Sequence, residues 1–130
     1  MYLCRGKNLK MEKFLLISTS NELVRVAPEH IVCITADGDY SILIQADGGS
    51  RVVTYQLGKL AEMITTQLGV RGNDFIRVGR SVIVNRNFVH YINISKQKLI
   101  LSDSRSVNHT VTVSKEALRQ LKELIEREGR

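Results

Sequence analysis

From residue 13 onward, short runs of aliphatic and β-branched residues follow one another, broken by Asn, Asp, Gly and Ser. Runs at 13–19, 22–26, 30–35, 40–45 and 51–56 are rich in Val, Ile, Leu, Thr and Tyr, the residues that suit a pleated, half-buried surface. Between them, Thr19-Ser20-Asn21, Ala36-Asp37-Gly38-Asp39 and Asp47-Gly48-Gly49-Ser50 supply turn chemistry at hairpin spacing. The period then changes. Leu57, Leu60, Ala61, Ile64 and Leu68 share one face of a helix of about three turns ending near Gly69, a cover for the core. A second β region follows at 75–78, 81–85, 89–94, 98–102 and 109–113, with turns at Ser95-Lys96-Gln97 and Asp103-Ser104-Arg105-Ser106. Ser114 is placed to cap a last helix whose apolar side carries Leu118, Leu121, Leu124 and Ile125. The pattern predicts a mainly β fold of short antiparallel sheets with one internal and one C-terminal helix. Strands and helices do not alternate, which argues against a doubly wound sheet.

A chain of 130 residues is expected to form one domain, burying about two-thirds of its unfolded surface. Residues 1–12 carry charge without periodicity and read as a lead-in; residues 13–128 read as the single domain. One Pro and 9 Gly among 43% apolar residues exclude a low-complexity class. Cys4 and Cys33 form no C-x-x-C or Cys/His cluster, so neither a disulfide framework nor a zinc site is expected, and a reduced cytoplasm suits them. Cys33, within an apolar run, reads as a small buried hydrophobe. The apolar run at 14–17 is too short for a signal-peptide core, and no run approaches membrane-spanning length. His30, His90 and His109 are dispersed, and no Gly-rich phosphate loop, nucleophile elbow or carboxylate pair accompanies them. No metal, cofactor or enzymatic chemistry is expected on this footing.

Charge sharpens the picture. Residues 75–122 hold nine Lys and Arg against two acidic residues, a net +7, whereas the eight basic and eight acidic residues before Phe75 cancel. A one-sided basic field on a small domain is what a polyanion binder requires. Only 5% of residues are aromatic, which weighs against base-stacking modes of single-strand or RNA binding.

The run Phe75-Ile76-Arg77-Val78-Gly79-Arg80-Ser81-Val82-Ile83-Val84-Asn85 resembles the most specific stretch of the LytTR DNA-binding domain of bacterial response regulators. Three further segments are similar to that family. His30-Ile31-Val32-Cys33-Ile34 followed by Tyr40 matches its second and third strands, residues 55–64 its strand-to-helix passage, and Val111-Thr112-Val113-Ser114-Lys115 its last strand and helix. The chain departs from the pattern at Gly79, where His is common, at Val82, where an aromatic is usual, at Thr35, where an acid is frequent, and at Thr112, where Pro is common.

The resemblance implies an elongated set of antiparallel sheets whose loops and strand ends enter successive major grooves of duplex DNA, often at paired direct repeats. It places base reading on Arg80, on Tyr40 or its neighbour Ser41, and on the Ser114-Lys115 junction. Arg80 is the strongest of these, because a guanidinium donates two parallel hydrogen bonds to guanine O6 and N7. Arg77, Arg86, Lys96, Lys98 and Arg105 would pair with phosphates, and Ser81 and Asn85 would add neutral hydrogen bonds. Without His at position 79, the base preference is expected to differ from the family's. The family's domain commonly follows a phosphoacceptor receiver. The 130 residues leave no room for one, so the switch is expected elsewhere, whether the regulator is free-standing or a piece of a longer one. A homodimer on DNA and a regulatory protein partner are further expectations.

Plainer roles compete at several positions. Arg77, flanked by Ile76 and Val78, serves equally to solvate a strand; Asn85 suits a turn, and Tyr40 suits cross-strand packing with its hydroxyl at the rim. A basic β module that binds acidic protein or an anionic metabolite is the rival reading.

Overall fold

In the computed structural model, which describes residues 13–103 and 108–128, the alternating runs form ten strands and the two amphipathic stretches form helices. In chain order these are β1 (Leu15–Ser18), β2 (Leu23–Val26), β3 (Ile31–Asp37), β4 (Tyr40–Gln45), β5 (Ser50–Val53), α1 (Leu57–Leu68), β6 (Phe75–Val78), β7 (Val82–Asn85), β8 (Val89–Asn93), β9 (Lys98–Ser102), β10 (Asn108–Thr112) and α2 (Lys115–Glu128). Short 3-10 helices at Pro28–His30, Gly69–Asp74 and Arg86–Phe88 join some of them, a class of element that strand and helix periodicity does not register. The lead-in expected at 1–12 lies outside the described residues.

The strands build three antiparallel sheets. A five-stranded sheet of order β5-β4-β3-β7-β6 is the centre, flanked by the β1–β2 hairpin and by a three-stranded sheet of order β10-β9-β8. β3 runs past its apolar pattern because β4 pairs with Ala36 and Asp37, and Ala36 N also donates to Ser81 O before β7. β5 is shorter than expected, since the chain turns at Gln56 to enter α1.

Each face of the central sheet covers its own core. On one face Ile34, Leu43, Val53 and Ile83 pack with Leu57, Leu60, Ile64 and Leu68 of α1 and with Leu15, Ile17 and Val26 of the hairpin. On the other, Cys33, Val78, Val82 and Val84 pack with Leu99 and Leu101 of β9 and with Ala117, Leu118 and Leu121 of α2. Successive strand residues point to opposite faces, so a sheet covered on both sides must be apolar at consecutive positions. Val82, Ile83 and Val84 meet that condition, all three being buried. In β3 a register shift between Ile31 and Cys33 sends Ile31 to the α1 side and leaves Val32 with Cys33 on the α2 side. Cys33 is buried, and desolvation pushes its thiol from 9.0 up to about 12, so it stays protonated near neutral pH and packs as a hydrophobe.

Two amides tie the layers together. The Gln67 side chain of α1 accepts from Leu16 N (2.8 Å) and donates to Leu16 O (2.9 Å), so it satisfies the free edge of β1 that would otherwise invite another strand. Asn85 closes β7 from inside the core. Its amide nitrogen donates to Ile31 O (2.9 Å), and its carbonyl oxygen accepts from Asn87 N (3.0 Å).

Candidate nucleic-acid interface

Antiparallel register decides which turns share an end. Asp37 pairs with Tyr40, Thr35 with Val82, and Ser41 with Val53, so the β3–β4 turn, the β6–β7 turn and the exit of β5 lie at one end of the central sheet. A hydrogen bond from Ala36 N to Ser81 O (2.8 Å) locks the first two together. Val78 pairs with Val82, which leaves a three-residue turn of Gly79, Arg80 and Ser81 with Arg80 at its apex, exposed. Gly79 has φ +64, a conformation that glycine adopts without strain. It lies against the first turn of α2, where a Cβ at this position would be in ordinary contact with Ala117 Cβ at 3.4 Å.

That approach brings the start of α2 to the same end. Ser114 is the expected cap: its hydroxyl accepts from Ala117 N (3.2 Å) and its carbonyl from Leu118 N (3.0 Å), so the hydroxyl hydrogen stays available to an outside acceptor. Lys115 follows, exposed, as the first helical residue. A cation there opposes the helix dipole at a cost of roughly 0.3–1 kcal/mol, which makes it a poor choice for helix stability alone. The β8–β9 turn joins the group through Gln97, whose backbone oxygen accepts from Val113 N (3.2 Å) and whose side chain donates to Val113 O (3.3 Å). Lys96 and Lys98, both exposed, flank that clamp.

The structure therefore gathers Tyr40, Arg80, Ser81, Lys96, Lys98, Ser114 and Lys115 at one end, with Tyr40 51% exposed rather than packed. Among the described residues none of Arg80, Lys96, Lys98 and Lys115 has an acidic partner within 4.0 Å.

Other expected contacts fall elsewhere. Ser41 is fully buried and its hydroxyl donates to Tyr55 O (2.8 Å), so it cannot meet a base. Asn85 is buried with its amide engaged in the core, which removes it from any phosphate. Arg86 follows the far end of β7 and pairs with Glu128 at the end of α2. Arg77 is exposed, but alternation sends it to the α1 face, where its Nη1 would lie 3.5 Å from a Cβ at Gly58. Arg105 lies outside the described residues. Reasoning from sequence passes over Gln97, whose role as a clamp carries no local signal, and over Asp39 at the β3–β4 turn. Among the described residues no cluster of His, Cys, Asp and Glu could hold a metal ion, and no helix is long and apolar enough to cross a membrane.

Comparison with known proteins adds independent findings. The family model described as the LytTr DNA-binding domain matches residues 21–126. Among solved structures, the chain is similar to the LytTr DNA-binding domain of a Bacillus cereus protein described as a methyl-accepting/DNA response regulator, with 18% identity and a TM-score of 0.62 over 88% of this chain and 97% of that one. No curated protein matches the chain.

Proposed function

The chain belongs to the LytTr DNA-binding domain family, and from that premise we propose that it is a sequence-specific regulator that reads double-stranded DNA with turns and a strand–helix junction. The observation that carries this reading is the convergence, at one end of the central sheet, of Arg80, Lys96, Lys98 and Lys115 without acidic partners among the described residues. Unneutralised cations on adjoining turns can meet successive phosphates, while the β6–β7 apex carries a guanidinium outward for a base edge. Arg80 is the base reader, with Tyr40, Ser114 and Lys115 as neighbours in the groove, and Lys96 and Lys98 bind the backbone. Arg105 remains a proposed phosphate contact on its charge alone. The regulator acts in the cytoplasm and pairs with a second copy on direct-repeat promoter sites, under the control of a protein partner.

Selection from a pool of random duplexes tests the proposal. An enriched motif with repeated half-sites supports it. Binding without enrichment, together with equal competition from acidic peptides or single strands, would replace it with an anion-binding interaction module.

A further inference from the structure

The resemblance gives the β3–β4 turn to Tyr40 and Ser41, yet its loop consists of Gly38 and Asp39 between the paired residues Asp37 and Tyr40. Ser41 is turned inward, so the functional side chain that the two-residue loop itself presents is the exposed carboxylate of Asp39, between the exposed Asp37 and Tyr40. A negative charge at the end of the sheet that faces a polyanion weakens binding to every sequence, and its presence has to be offset by discrimination. The loop holds it in place. Gly38 takes φ +65, and Gln56 Nε2, just before α1, donates to Asp39 Oδ1 at 3.3 Å, leaving Oδ2 open among the described residues.

An ionised carboxylate only accepts hydrogen bonds. In the major groove guanine presents acceptors and thymine presents O4, both repelled by it, and adenine sets an N7 acceptor beside its amine. Cytosine offers an N4 amine whose own ring sets a C5–H rather than an acceptor beside it, and is the base an acidic side chain commonly reads. We infer that Asp39 determines specificity by accepting a hydrogen bond from cytosine N4, with Gln56 as its positioning residue. The inference rests on the DNA-reading function proposed above. Arg80 supplies donors and Asp39 an acceptor at the same end of the sheet, so the two turns read bases of opposite hydrogen-bonding character.

The test is selection from random duplexes with the unaltered chain, Asp39→Asn, Gln56→Leu and Arg80→Ala, each first checked by circular dichroism for an unchanged fold. The unaltered chain should enrich cytosine at a position distinct from the one that Arg80→Ala relaxes. Asp39→Asn should lose that cytosine preference by roughly 5- to 100-fold while binding mixed-sequence duplex at least as tightly. Gln56→Leu, which keeps the charge and removes its tether, should lose part of the preference. If Asp39→Asn selects the same cytosine as the unaltered chain while Arg80→Ala still relaxes its own position, the role of Asp39 is overturned and DNA reading stands. If the unaltered chain enriches no motif, the DNA-reading function falls and this inference with it.

Discussion

The two ends of the central sheet carry the same kinds of residue and use them in opposite ways. At one end Arg80, Lys96, Lys98 and Lys115 stand on turns and a helix start without acidic partners among the described residues. At the other, Arg86 pairs with Glu128, and the polar side chain of Asn85 is spent on backbone groups inside the core. Arg80 and Arg86 lie six positions apart in a single basic stretch, yet β7 carries the chain from one end of the sheet to the other between them. Net charge along a sequence therefore overstates a binding face. What counts is which cations are left unneutralised and share an end.

Four experiments press on that contrast. The largest effect is expected at the packed end, where Asn85→Ala should cost about 2–4 kcal/mol, because Ile31 O loses a buried partner, Asn87 N a part-buried one, and the core the Asn85 side chain itself. Urea denaturation measures it. An unchanged midpoint would mean that the clamp carries no stability. At the exposed end, Arg80→Ala should leave that midpoint alone and weaken binding to the selected duplex by about 1–3 kcal/mol, relaxing discrimination at one base pair. Equal losses on every sequence, read by competition gel shift, would reduce Arg80 to a phosphate contact.

Gly79→Ala removes no DNA-facing group but puts a side chain on a residue at φ +64, 3.4 Å from Ala117 Cβ. A stability loss of about 1 kcal/mol is expected, together with weaker DNA binding, since the apex must move. Binding equal to that of the unaltered chain would show that the β6–β7 turn need not be held against α2. The smallest effects compare a free cation with a paired one. Lys98→Ala should lower the slope of log affinity against log salt by roughly 0.9. Arg86→Ala should leave the slope unchanged and cost about 0–1 kcal/mol of stability, as a partly exposed ion pair does. Equal slopes for the two variants would erase the distinction between the ends.

Local elements were largely legible because a strand or helix declares itself through its period. β4, β6 and β9 span the residues that alternation marks, and α1 buries Leu57, Leu60, Ile64 and Leu68 as its spacing requires. The 3-10 helices escape such reading, since three-residue turns repeat too little to leave a pattern. The site was legible in part. The cap at Ser114 follows from cap chemistry close in sequence, whereas Arg80 was singled out by the family resemblance and its place at a turn apex came only from strand register. Ser41 and Asn85 were misplaced because polar side chains also satisfy buried backbone groups, and nothing local distinguishes that use from exposure.

By itself the sequence determined that this is a mainly β domain of short antiparallel strands with two amphipathic helices, carrying its excess positive charge in residues 75–122. Only the tertiary structure decided which charges stand together. Sheet register sets the β3–β4 and β6–β7 turns side by side, and the contact of Gly79 with Ala117 brings the start of α2 to the same end. The physical reason is one of range: periodicity and capping arise between residues a few positions apart, whereas the pairing of a cation depends on groups that only long-range strand pairing brings within reach.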